Sequence, residues 1–132
     1  MKQQTLGILK PDCLKKKLMG TVIKRLEEAG FDLLEGMIKR LSRSQAENFY
    51  TVHKERPWFS ELIDFMTSGP VFVMKLERDN AVDRLREVIG ATDPAEAASG
   101  TIRREFADNK QNNIIHASDS PENAKIELDF FF

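Results

Sequence analysis

Two histidines, His53 and His116, are the only imidazoles in the chain, and their neighbours differ. His53 lies at helical spacing from Ala46, Phe49 and Tyr50, the setting of a partly buried helix residue. His116 follows Ile114-Ile115 and precedes Ala117-Ser118-Asp119-Ser120. It therefore stands at a strand end that runs through a hydroxyl-rich turn into a helix. A neutral imidazole is a good nucleophile near pH 7, because one ring nitrogen attacks while the other is held by an acceptor. Glu127, two turns beyond Ser120 on an otherwise apolar helical side, is a carboxylate that needs such a partner. The free N–H groups of the helix opening at Ser120 point at the same corner and favour an anion there. A single histidine so placed can take a phosphoryl group and pass it on, since positioning and charge neutralisation supply most of the rate.

Cations for that neutralisation are at hand. Lys10 lies just past the first strand, Arg86 on the helix before a long loop, and Arg103 within that loop. Arginine presents a planar fork of donors that matches phosphate oxygens. The chain has no Gly-x-x-x-x-Gly-Lys-Ser/Thr loop and no glycine-rich protein-kinase signature. Phosphate handling here must rest on cationic side chains and a nucleophile of the protein's own.

The bulk composition frames this chemistry. The 132 residues fit one domain, spanning 1–132, and 41% hydrophobic with 31% charged residues is enough to build a core. Lys plus Arg number 20 against 21 Asp plus Glu, a net charge of −1. That argues against a protein that coats nucleic acid, yet leaves room for a local cationic pocket. The one cysteine, Cys13, excludes an internal disulfide framework and reads as a small buried hydrophobe. The apolar stretch from Thr5 to Leu9 is too short for a signal segment, and no run approaches the ~20 apolar residues of a membrane helix. The expected setting is the cytoplasm, away from membranes.

The elements that must position these residues follow from periodicity. Gln3 to Leu9 is a strand with Leu6 and Ile8 on one face, and Lys10-Pro11-Asp12 begins a turn. Val22, Ile23, Leu26 and Ala29 share a helix side, stopped by Gly30. Phe31 to Leu41 reads as a strand with Phe31, Leu33, Met37 and Leu41 on one face. Ser44 with Glu47 has the capping-box spacing for a helix carrying Ala46, Phe49 and Tyr50 inward, and Pro57 breaks it. Phe59 to Met66 is a shorter helix, and Val71 to Leu76 a buried strand. Asp79 is placed to cap a helix with the stripe Val82, Leu85 and Ile89, ended by Gly90. Ala91 to Asn113 has almost no periodicity, and a loop so long is usually functional. Asn113 to Ala117 is a short strand, and Ser120-Pro121-Glu122 opens a last helix with Ala124, Leu128 and Phe131 inward. The order β-α-β-α-α-β-α-β-α contains a βαββαβ core, which suggests an α+β, ferredoxin-like sandwich: helices against one face of a four-stranded antiparallel sheet, with additional helices.

Asn113-Ile114-Ile115-His116-Ala117-Ser118-Asp119-Ser120 resembles the N-x-x-H-G-S-D-S signature of nucleoside diphosphate kinases. The likeness extends along the chain through Leu9-Lys10-Pro11-Asp12, Phe49-Tyr50, Lys54-Glu55-Arg56-Pro57-Trp58-Phe59 and Phe65-Met66-Thr67-Ser68-Gly69-Pro70. It continues in Gly90-Ala91-Thr92-Asp93-Pro94-Ala95 and Gly100-Thr101-Ile102-Arg103. The resemblance implies ping-pong transfer of the γ-phosphoryl of a nucleoside triphosphate to a nucleoside diphosphate through a phosphohistidine at His116. It implies that Glu127 holds the imidazole, with Ser118 and Tyr50 lining the pocket. Lys10, Arg86, Thr92 and Arg103 would meet the phosphates, Lys10 and Asn113 the sugar hydroxyls, and Trp58 the base. Mg2+ would arrive bridging β- and γ-phosphates, and the protein would be a homo-oligomer, a tetramer or hexamer built from dimers. A non-catalytic nucleotide-binding or protein-interaction relative is the alternative, and a missing site residue would mark it; none is missing. Three departures stand out: Ala117 where the family has glycine, Trp58 where it has phenylalanine, and an end at Phe132 without the family's longer tail. If position 117 required a positive φ, alanine would be strained there and catalysis slower.

Overall fold

The computed structural model describes residues 2–132. Four strands, β1 (Lys2–Leu9), β2 (Asp32–Lys39), β3 (Val71–Asp79) and β4 (Ile115–Ala117), form one sheet in the order β2-β3-β1-β4. All pairings are antiparallel, and β1 lies inside the sheet with its last five residues, Thr5 to Leu9, buried. This is the expected ferredoxin-like order.

The pleat divides the apolar residues of the sheet between two cores. Leu9, Met74, Leu76 and Ile115 face α2 (Met19–Glu28) and α5 (Ala81–Ile89), through Val22, Leu26, Leu85 and Ile89. Leu6, Ile8, Val71 and Val73 face the opposite way, against Ala46 of α3 (Arg43–Phe49), Ile63 and Met66 of α4 (Phe59–Met66), and Leu128 of α7 (Pro121–Phe131). One pair of helices thus covers a face as expected, and the additional helices bury the second. A short helix α1 (Pro11–Lys15) turns the chain out of β1 with proline at its start, and Cys13 is fully buried against the first core.

Local chemistry corrects several expected details. The capping box forms at Ser42 and Gln45: Ser42 Oγ accepts from Gln45 N at 3.1 Å, and Gln45 Oε1 from Ser42 N at 3.0 Å. Both Ser42 and Ser44 have the required spacing. The earlier one caps because Leu41 already reaches the core, and Glu47 instead pairs with Arg43. Asp79 ends β3 opposite Lys2, so it is not the cap of α5; Gln3 Oε1, from the neighbouring strand, accepts from Val82 N at 2.8 Å. The apolar residues of β2 do not share one face. A bulge between Leu33 and Glu35 shifts the register, so Phe31 joins the first core while Met37 and Leu41 join the second.

The segment expected to be aperiodic from Ala91 to Asn113 contains α6 (Ile102–Phe106), capped by the Thr101 hydroxyl, with Ile102 fully buried. Gly90 is what lets this segment leave α5. Its φ is +89°, and a Cβ there would lie 2.5 Å from Thr101 Oγ1. Arg25 on α2 pins the far side by pairing with Glu105 and with the Gly100 carbonyl.

Candidate active site

β4 is shorter than expected because the chain makes a tight turn just before it. Ile114 has φ +78°, and Ile115 N donates to Asn113 O at 2.9 Å, closing a γ-turn of the rare positive-φ kind. A β-branched residue in that conformation costs on the order of 1–3 kcal/mol and persists only where its surroundings hold it. Here they do. Ile114 N donates to Asp12 Oδ2 at 3.1 Å, and Ile114 O accepts from Lys10 N at 2.8 Å. The Arg103 guanidinium spans the turn, giving Nε to Asn113 O at 3.3 Å and Nη2 to Ile115 O at 2.6 Å, while its Nη1 meets Gly90 O at 3.0 Å.

This turn delivers His116 to the sheet edge, opposite Ile8. Its ring points to the face of the second core, where Phe49 and Tyr50 meet it edge-on at centroid distances of 5.2 and 5.9 Å. His116 Nε2 lies 2.8 Å from Glu127 Oε1, and Ser118 Oγ donates to that same oxygen at 2.8 Å. An ionised carboxylate can only accept, so Nε2 carries the ring proton. Nδ1 is left with its lone pair. Ser118 is fully buried beneath the pair and sits behind the imidazole, holding the carboxylate from below rather than facing the cleft.

Above the ring opens a cleft of about 770 Å³, lined by Lys10, Tyr50, Trp58, Arg86, Thr92, Arg103, Asn113, His116 and Glu127 among others. Nine of the ten expected site residues therefore share one cavity, and Ser118 supports it from outside. Lys10 is buried and donates from Nζ to Asn113 Oδ1 at 2.8 Å. Burial, with Arg103 adding to it and Asp12 opposing, lowers the lysine to about 8. Arg103 is lowered to about 10 by burial and then by Arg86, and so remains charged at neutral pH. The Tyr50 hydroxyl is buried with no hydrogen-bond partner among the described residues. Burial, with Glu127 adding, pushes its pKa well up, which keeps it a donor.

The condition raised for Ala117 is not met, and one expectation, for the start of α7, changes. Ala117 does not occupy the positive-φ region: it lies in β4 paired with Gly7, so alanine is accommodated and the strain sits three residues earlier. The start of α7 offers less to an anion than anticipated, because Pro121 has no N–H and Ser120 Oγ already accepts from Asn123 N at 3.1 Å. Two contributors carried no assigned role in the sequence reading. Phe49 packs on the imidazole, and its helical spacing signalled only an inward position. Asp12 sits 102 residues from the turn that it holds, and no local pattern could connect them. Burial raises its carboxyl pKa, countered by the Ile114 N–H and Lys10, and its Oδ1 is buried with no partner among the described residues.

An imidazole with one nitrogen tethered and the other open to a cationic, aromatic-walled cleft is equipped to act as a nucleophile toward an anionic ligand. The family model described as nucleoside diphosphate kinase matches residues 3–132. Nucleoside diphosphate kinases of Erythrobacter litoralis and Chlorobium luteolum are 58% and 55% identical to the chain, each over 98% of it and over 92% and 93% of the relative. The solved structure of the Aquifex aeolicus nucleoside diphosphate kinase is similar at TM-score 0.97 and 44% identity, covering all of this chain and 96% of that one. A Halobacterium salinarum nucleoside diphosphate kinase in complex with CDP gives TM-score 0.96 at 35% identity, covering all of this chain and 88% of that one. This chain belongs to the nucleoside diphosphate kinase family.

The buttressed turn makes a prediction. Asp12→Ala leaves the Ile114 N–H buried without an acceptor, which costs on the order of 1–3 kcal/mol of stability. It should also slow phosphoryl transfer roughly ten- to a hundredfold through misplacement of His116. Asp12→Asn keeps an acceptor oxygen and should recover most of the rate. Thermal unfolding and steady-state kinetics check this, and a wild-type rate in Asp12→Ala would refute the buttress.

Proposed function

We propose that this single domain exchanges the terminal phosphoryl group between nucleotides through His116, in two balanced halves. His116 Nδ1 attacks the γ-phosphorus of a nucleoside triphosphate, the bond to the β-phosphate oxygen breaks, and the diphosphate leaves. A terminal oxygen of a second nucleoside diphosphate then attacks the phosphorus, and the P–N bond breaks. The observation that carries this reading is the 2.8 Å contact of Nε2 with Glu127, which leaves Nδ1 free above the cleft. Positive charge builds on the ring as the P–N bond forms, and the Glu127 carboxylate stabilises it.

The remaining roles follow from position. Lys10, Arg86, Thr92 and the two N–H groups that Arg103 has left face the phosphates, and Tyr50 offers its hydroxyl to the transferring group. Lys10 and Asn113 address the sugar hydroxyls. Trp58, 43% exposed at the mouth, stacks on the base without reading its identity, which allows breadth of substrate. Among the described residues no three His, Cys, Asp or Glu stand together as a protein metal cage. The phosphate oxygens are the hard ligands that Mg2+ prefers, so it would enter as a companion of the nucleotide and would supply charge neutralisation beside Lys10, Arg86 and Arg103.

A homo-oligomer fits the exposed apolar residues of the edge strand β2, where Leu33, Leu34 and Ile38 are 36%, 43% and 62% exposed. The long loop buries its own Ala97 and Ile102 within the chain. No helix among the described residues is long and apolar enough to cross a membrane. A free buried cysteine suits the reducing cytoplasm.

Incubation with γ-labelled ATP should give an acid-labile, alkali-stable phosphoenzyme in the wild type and none in His116→Ala, with exchange abolished. Persistent exchange in His116→Ala would sink the mechanism. Light scattering should give a multiple of the 15.1 kDa chain mass; an active monomer would contradict the assembly.

A further inference from the structure

Four rings follow one another along the cleft wall: Phe49, Tyr50, His53 and Trp58. Three have a place in phosphoryl exchange, and His53 has none. Expected as a partly buried helix residue, it lies on the 3₁₀ turn Thr51–His53, half-buried, and lines the cleft. Its ring centroid is 5.1 Å from that of Trp58, tilted by 51°, and 6.5 Å from that of Tyr50, tilted by 30°. The turn beneath it is fixed by His53 N donating to Tyr50 O and Arg56 N to His53 O, each at 2.8 Å. Neither ring nitrogen of His53 has a hydrogen-bond partner among the described residues.

Trp58 stands differently. It precedes α4, its indole is 43% exposed, and the ring contact with His53 is the one that it makes among the described residues. An indole held on one side by a single ring would otherwise sample several rotamers, and stacking a base on it would then cost the entropy of fixing it.

We propose that His53 is a positioning residue for the base platform: its imidazole, wedged between Tyr50 and Trp58, sets the indole plane and couples the phosphoryl end of the cleft to the base end. The proposal rests on the reading of Trp58 as the base-stacking face. Protonation tightens the wedge, because an imidazolium against an indole gains a cation–π attraction. The groups that face His53 set where this happens. Burial disfavours the proton most, Arg56 on the same turn and His116 across from β4 disfavour it further, and Asp119 from the β4–α7 connection favours it. The balance lowers the pKa below the ordinary 6.5, so the ring is neutral at pH 7 and charges on the acid side.

Trp58 is the only tryptophan, so its emission reports the contact directly. With no nucleotide present, wild-type emission should be quenched as pH falls through a transition below 6.5, since an imidazolium in contact with an indole quenches it. In His53→Phe and His53→Ala the emission should be flat across that range. At pH 7, His53→Ala should raise KM for ADP about three- to tenfold, the loss of one aromatic pair, with kcat changed by less than about twofold. His53→Phe, which keeps a ring, should restore KM but not the emission transition. The same transition in wild type and His53→Phe would overturn the proposal, as would a fall in kcat at unchanged KM. The emission titration needs no catalysis. A wild type that makes no phosphoenzyme but shows the transition would therefore sink the exchange reading alone, leaving the His53–Trp58 contact intact.

Discussion

The 2.8 Å hydrogen bond between His116 Nε2 and Glu127 joins a strand of three residues to the last helix, and much of the cleft keeps those two elements where the bond can form. α7 is seated by Ala124 and Leu128, and it leans on β1, the strand that β4 pairs with. Both partners of the bond are therefore referred to the same buried strand. Ser118, fully enclosed, adds a second donor to the carboxylate oxygen and fixes it in one orientation. A surface ion pair of this kind would contribute little. Here its work is geometric: it decides which ring nitrogen is left free toward the cleft.

The other constraint is the turn at Ile114, whose strain is offset by a carboxylate, a main-chain N–H and a guanidinium. Those groups are not separate from the cleft. Lys10 supplies the N–H and also the buried amine in the cleft, and Arg103 supports the turn while itself lining the cleft. Gathering them in one place has electrostatic consequences. Lys10 is brought down to about 8 by burial and by Arg103, so it stays mostly protonated at neutral pH and loses its charge only on the alkaline side. Cys13, beside this network, is pushed up to about 12 by burial and stays an inert hydrophobe.

Much of this is legible in the sequence, for physical reasons that differ by residue. The strands and helices that carry clean periodicity, such as Val82, Leu85 and Ile89 or the run from Val71 to Leu76, appear where the pattern puts them. Burial enforces that pattern directly. The partnership of His116 with Glu127 was legible because a carboxylate on an apolar helix side needs a partner. The misplaced caps at Ser44 and Asp79 reflect competition settled by tertiary contacts: Leu41 fixes where α3 can start, and Gln3 reaches over from another strand. The bulge in β2 hid because one extra residue leaves an apolar alternation that still looks continuous. The positive φ at Ile114 was not legible, since only long-range partners such as Asp12 can hold a β-branched residue there.

The tether of Nε2 makes the identity of the phosphorylated atom the most direct test. Nitrogen-15 and phosphorus-31 NMR of the phosphoenzyme, uniformly labelled at histidine, should show phosphorus coupled to His116 Nδ1, with Nε2 still protonated. Phosphorus on His116 Nε2, or on another residue, would contradict the account.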